Sequence, residues 1–185
     1  MDNEMIRVVR RQKVSTDCFV CGINNPHGFK AQFYELENDS VIALVKSDFF
    51  YQSYPGRMHG GLSATALDEA MGRAVLMRDE NVWGVTTDMQ LRYRKPVPLG
   101  ETLRVIGRIT KFRHLCDVEG EILSEDGTVV VSATARYMRL SLGAISGEAH
   151  ADEVLFDYPP ERDLTAVSVT GVLRTEYALS RNERV

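Results

Sequence analysis

Apolar and polar positions fall into blocks of different period along the 185-residue chain. Residues 30–37, with Phe33 and Tyr34, and residues 41–45, almost wholly apolar, are predicted strands. The turn formers Asn38-Asp39-Ser40 between them make the pair a hairpin. From 62 to 77 there is no proline, and Leu, Ala and Met, strong helix formers, dominate. Leu62, Leu67, Ala70, Met71, Val75 and Met77 point to several sides of this helix, so it is predicted to be buried. Four more strands follow, over 85–93, 103–109, 116–123 and 129–140, with the turn signal Asp126-Gly127 before the last. In 85–93 alternation sets Val85, Met89, Leu91 and Tyr93 against Thr86, Asp88, Gln90 and Arg92. In 129–140, Val129, Val131, Ala133 and Ala135 line one face.

Two strands, one long helix and four strands predict an α+β architecture. One helix cannot cover both faces of six strands, so an antiparallel sheet is expected to wrap around a long central helix. Three regions result: a polar N-terminal segment, 1–28; the α+β domain, 29–140; and an extension, 141–185. Within the extension, 167–179 reads as a further strand or a short helix. No internal repeat is visible.

Composition narrows the function class. The chain is 44% hydrophobic and 26% charged, ordinary for a globular protein, and 22 Lys+Arg against 26 Asp+Glu give a net charge of −4. This is not the basic field of a general nucleic-acid binder, so none is expected as a partner. No apolar run is long enough to span a membrane. The charged start, Met1-Asp2-Asn3-Glu4, is not expected to act as a secretory leader. Three cysteines, an odd number, argue against a disulfide scaffold and for a reducing cytoplasm.

The helix carries the candidate chemistry. Glu69 precedes Arg73 by four residues, the order that favours a surface ion pair. Asp68 has Ala64, Thr65, Met71 and Gly72 as helical neighbours, with no cation among them. A carboxylate on such a face is costly unless hydrogen-bonded, paired or working. It reads either as a boundary residue bonded by Thr65 or a loop amide, or as a functional acid. His59-Gly60-Gly61 opens the helix. Glycines there let a ligand approach, and the free first-turn N–H groups attract an oxyanion or a carbonyl oxygen. The segment therefore combines an oxyanion site with a carboxylate about two turns further on.

The run His59-Gly60-Gly61-Leu62-Ser63-Ala64-Thr65-Ala66-Leu67-Asp68 resembles the signature of the hotdog-fold acyl-CoA thioesterases, in the group that includes the phenylacetic-acid-pathway enzymes. The resemblance continues through 84–89 and 92–100, and upstream through Cys18-Phe19-Val20-Cys21-Gly22 and Asn25-Pro26-His27-Gly28, covering roughly 18–140. It implies a hotdog fold, edge-to-edge pairing of two subunits, and an active site at that interface, often within a tetramer. By the same resemblance, the N–H of Gly61 or Gly60 polarises the thioester carbonyl and Asp68 serves as general base or nucleophile. Thr86, from the partner subunit, positions water or the carboxylate, and His59 orients the loop. Many relatives have an amide or acid six residues before the His, where this chain has Ser53 beside Gln52. Those two, with Met58, are candidate substrate contacts. Arg94, Lys95 and Arg113, with Arg92 and Lys111, are candidates for the phosphates of coenzyme A. The chemistry implied needs no metal or organic cofactor.

Other signals are weaker. Cys18-x-x-Cys21 has the spacing of half a zinc site, but no second pair exists, so it reads as structural. His27 reads as a loop-capping residue, and His114 and His150 lack a recognisable partner. No Gly-x-Ser-x-Gly elbow or phosphate-binding Gly-rich loop is present. An acyl-CoA thioesterase is the leading expectation, with acyl-carrier-protein thioesters as the related substrate. The alternative is a non-catalytic hotdog module that binds an acyl thioester or another small ligand, and a dehydratase of the same fold is a weaker third.

Overall fold

The protein is described by a computed structural model over residues 4–147, 155–157 and 163–178. His150, the Pro159-Pro160 pair and the charged stretch 181–184 lie outside the described residues. The elements are β1 (Met5–Arg11), β2 (Val14–Ser15), β3 (Gln32–Leu36), β4 (Ser40–Lys46), a 3-10 turn (Phe49–Tyr51), α1 (Gly60–Arg78), β5 (Trp83–Tyr93), β6 (Thr102–Lys111), β7 (Leu115–Leu123), β8 (Val129–Leu140), α2 (Leu142–Ser146), β9 (Leu155–Phe156), β10 (Leu164–Ser168) and β11 (Thr175–Tyr177). Nine strands form one sheet in the order β11-β10-β1-β3-β4-β6-β7-β8-β5, and every paired neighbour is antiparallel. β2 and β9 pair separately.

Helix α1 lies against β4 to β8, and its Leu67, Ala70, Met71, Ala74 and Val75 are fully buried. The close approach depends on Gly107 and Gly120, which face each other across β6 and β7. A Cβ on Gly107 would collide with the Ala70 carbonyl, and one on Gly120 with the Met71 side chain. The expected α+β arrangement, a sheet around a buried helix, is what the chain adopts. Among the described residues no helix is long and apolar enough to cross a membrane.

The sheet is larger than the six strands expected, because strands from both flanking segments join it. β1 pairs with β3, and β10 then pairs with β1. β1 carries Arg7, Arg10 and Arg11 and is only half-buried, so its apolar period is too weak to read in a polar segment. The extension is held by fully buried Arg104 on β6. Its guanidinium donates to the carbonyls of Ser124 (2.9 Å), Ser168 (3.1 Å), Thr170 (3.3 Å) and Gly171 (2.7 Å).

Candidate functional site

Asp68 sits on α1 where the helix faces β5 and β8. Thr86 Oγ1 donates to Asp68 Oδ1 at 2.6 Å, and Tyr137 Oη donates to the same oxygen at 3.0 Å and to the Asp68 carbonyl at 2.9 Å. Both hydrogen bonds to the side chain fall on Oδ1, and among the described residues nothing bonds Oδ2. The side-chain partners are therefore not the Thr65 or loop amide considered from the sequence. Thr65 Oγ1 instead donates back to the Gly61 carbonyl at 2.9 Å. Burial, and then the negative charge of Asp68, push the Tyr137 phenol far above its ordinary range, so it stays a donor.

The two donors are direct cross-strand partners, Thr86 on β5 opposite Tyr137 on β8. What turns Thr86 inward is a bulge. The register slips between Thr86 and Asp88, leaving Thr87 as the extra residue. Strict alternation grouped Thr86 with Asp88, Gln90 and Arg92. The bulge breaks that phase, so Thr86 reaches the helix, while beyond it Met89 and Leu91 pack on the core. Tyr137 was missed from the sequence. The signal was there: Val131, Ala133 and Ala135 continue to Tyr137 on the same buried face.

At the tip of α1, His59 is the N-cap, and its Nδ1 accepts the Gly61 N–H at 3.0 Å. The N–H groups of Leu62 and Ser63 go to the His59 carbonyl at 3.0 and 3.2 Å. Of the first-turn amides, Gly60 N–H has no acceptor among the described residues. Tyr93, half-exposed on β5, donates to the Gly60 carbonyl at 2.8 Å. The geometry therefore separates the two glycines: Gly61 is occupied by His59, and Gly60 is open.

The remaining candidates do not converge within one chain. Gln52 is exposed, and its Oε1 accepts the Gly56 N–H at 2.9 Å, inside its own turn. Ser53 is exposed in that turn, and Met58 is buried. Arg94 donates to Ser132 Oγ at 3.1 Å and lines an open groove of about 630 Å³ with Arg92 and Arg108. Lys95 lines a different depression, of about 410 Å³, with Arg57. Arg113 is exposed in the turn between β6 and β7, and Lys111 pairs with Asp117 at 3.3 Å. His27 does not cap through its ring: its backbone N–H is capped by Asn25 Oδ1 at 3.0 Å.

Beside Asp68, Glu69 and Arg73 form the expected i,i+4 pair at 2.9 Å, but not on the surface. The Arg73 side chain is only 4% exposed, because the N-terminal segment covers it. Arg73 also donates to the Lys13 carbonyl at 2.7 Å and to Cys21 Sγ at 3.0 Å, and it stacks over the Phe33 ring at 4.9 Å. A cleft of about 100 Å³ is lined by Asp68, Glu69, Gly72, Arg73, Thr86 and Tyr137, among others.

Comparison with known proteins matches residues 55–131 to the thioesterase superfamily. The acyl-coenzyme A thioesterase THEM4 of Mus musculus is 29% identical over 119 residues, covering 61% of this chain and 49% of that protein. This chain thus spans about half the length of that relative. A crystallised thioesterase superfamily protein superposes with a TM-score of 0.62 at 30% identity, over 67% of this chain and 60% of that one. A thioesterase protein from Streptococcus pneumoniae TIGR4, crystallised with coenzyme A, gives a TM-score of 0.51 at 25% identity, over 55% of this chain and 82% of that one.

Proposed function

The hotdog domain of this chain belongs to the thioesterase superfamily, and from that premise we propose that the protein hydrolyses acyl-CoA thioesters with Asp68 as the general base. The observation that carries this reading is the carboxylate held through one oxygen by Thr86 and Tyr137, with the other oxygen unused. Its orientation is fixed without its charge being cancelled by a cation. Oδ2 takes a proton from a water molecule as that water attacks the thioester carbonyl carbon. The carbonyl oxygen, gaining negative charge, sits on the Gly60 N–H at the positive end of α1. Collapse of the tetrahedral intermediate breaks the C–S bond and expels the thiolate of coenzyme A, which is protonated on leaving. No metal is called on in this scheme. Attack by Asp68 itself on the carbonyl carbon is the competing route, and oxygen-18 water in single turnover separates the two.

The geometry of α1 also supports assembly. Gly60 and Asp68 are eight residues apart on one helix, a rise of about 12 Å. A carbonyl oxygen and its carbon are only about 1.2 Å apart. The open amide of one chain and the free carboxylate oxygen of a second chain are therefore the pairing this reading favours for one thioester. Among the described residues β5 ends the sheet, is eleven residues long and has no outer strand partner, which suits pairing with a second copy in a homodimer or tetramer. The coenzyme A in the Streptococcus pneumoniae relative supports the same ligand here. Arg92 and Arg94, sharing one groove, are its best-placed phosphate partners. A cytoplasmic setting fits the odd cysteine count.

The test is hydrolysis of an acyl-CoA panel with free thiol detected. Asp68→Ala is expected to lose at least ~100-fold in kcat/KM, the scale of a positioned base. Unchanged activity in that variant removes Asp68 from the mechanism. Binding without turnover by the wild type leaves the non-catalytic module.

A further inference from the structure

The proposed hydrolysis leaves a cluster of reactive groups unused among the described residues. The sulfurs of Cys18 and Cys21 and a Glu69 carboxylate oxygen lie within 4.8 Å of one another. Cys18 Sγ accepts the N–H groups of Val20 at 3.3 Å and Cys21 at 3.5 Å. Cys21 Sγ accepts the Ser15 N–H at 3.4 Å and Arg73 Nη2–H at 3.0 Å. Cys18 is half-buried and Cys21 fully buried, so one sulfur is reachable and the other lies behind it. The turn that brings them together is tight: Gly22 N–H donates to the Cys18 carbonyl at 2.8 Å, and a Cβ at Gly22 would collide with that oxygen.

The cluster resembles a three-ligand metal site, but its charges oppose one. Arg73 keeps a permanent positive charge against Cys21 Sγ, where a divalent cation would be repelled. The amides of Val20 and Cys21 favour a thiolate on Cys18, while the hydrogen bond to Cys18 and burial push the Cys21 thiol up and keep it the donor. The hydrogen bond from the Cys21 thiol, the largest cause, and those from the two amides hold Cys18 well below the ordinary thiol range, against the opposing effects of burial and Glu69.

We propose that Cys18 and Cys21 are a redox-active dithiol that reacts with a small-molecule disulfide of the glutathione class, independently of thioester hydrolysis. Cys18 thiolate attacks one sulfur of the small disulfide, forming a mixed disulfide and releasing one thiolate. Cys21 gives up its proton to a released thiolate and attacks Cys18 Sγ, forming the internal S–S bond and expelling the second thiolate. The protein loses two electrons, and the small disulfide becomes two thiols. The sulfurs are within a side-chain rotation of bonding distance, since a disulfide needs about 2.05 Å.

The experiment uses the full chain in mixtures of oxidised and reduced glutathione, followed by intact mass and tryptic mapping. No Lys or Arg lies between Lys13 and Lys30, so both cysteines fall in one peptide. The expected result is loss of two hydrogens from that peptide, with Cys116 still free. Cys21→Ser is expected to stop at a glutathione adduct on Cys18, and Cys18→Ser to form neither product. Should Cys21→Ser fail to fold, the wild-type peptide map decides alone. The proposal is overturned if no internal disulfide forms, or if the purified protein carries stoichiometric zinc that alkylation of these two cysteines releases.

Discussion

Asp68 and Glu69 are consecutive residues with the same charge, yet the fold treats them in opposite ways. About 100° of helix rotation separates them. Asp68 meets two neutral hydroxyls, both on one oxygen, and among the described residues it has no cation beside it and no donor on its other oxygen. Glu69 meets Arg73, a cation buried by the N-terminal segment, and its charge is answered. A carboxylate neutralised by a buried partner serves packing. One oriented by neutral donors remains available for chemistry.

This contrast breaks cleanly under paired substitutions. Asp68→Asn, nearly isosteric, is expected to lower kcat/KM by at least ~100-fold while leaving the melting temperature almost unchanged. Glu69→Gln should do the reverse, keeping most activity but destabilising the fold by about 2 kcal/mol in denaturant unfolding. That is less than the ~3–5 kcal/mol of a fully buried broken pair, because Glu69 is 27% exposed. If both variants lose activity equally with no change in stability, the distinction drawn between the two carboxylates is wrong.

Smaller changes sharpen the picture. Thr86→Val and Tyr137→Phe each remove one donor to Asp68 Oδ1 and are expected to lower kcat by about tenfold, with little change in KM. The double variant should show non-additive loss, since both donors orient one oxygen. The mildest effect concerns Cys18, whose thiol is brought down to about 6. It faces Glu69 and Arg73 from α1 and Cys21 from its own turn. The thiolate is the reactive form, so alkylation of Cys18 should rise through about pH 6 and level off by neutrality. An ordinary thiol keeps accelerating to about pH 8.5. A Cys18 profile matching the ordinary thiol contradicts the contacts described for it.

Much of the fold was legible along the chain. The helix and the six strands β3 to β8 follow from periods that burial imposes on each element separately, and each was expected within a few residues of where it lies. β1 was not, because it is only half-buried and carries three arginines that blur its period, and Arg104 holds the loop between the extension's strands. Within the site, Asp68 stood out because no cation lies on its helix face. Gly60 and Gly61 stood together, and only their contacts separate them: the imidazole of His59 covers one amide and leaves the other open.

The linear order of residues by itself determined a buried helix opened by two glycines, carrying an acid with no local cation. Those properties depend on neighbours within a few positions. The tertiary structure alone decided that Thr86 turns inward, that Tyr137 joins it, and that Arg73 is buried against Cys21. Each depends on segments far apart in the chain, on a one-residue bulge that reverses a strand's phase, and on an N-terminal segment folding over one side of the helix.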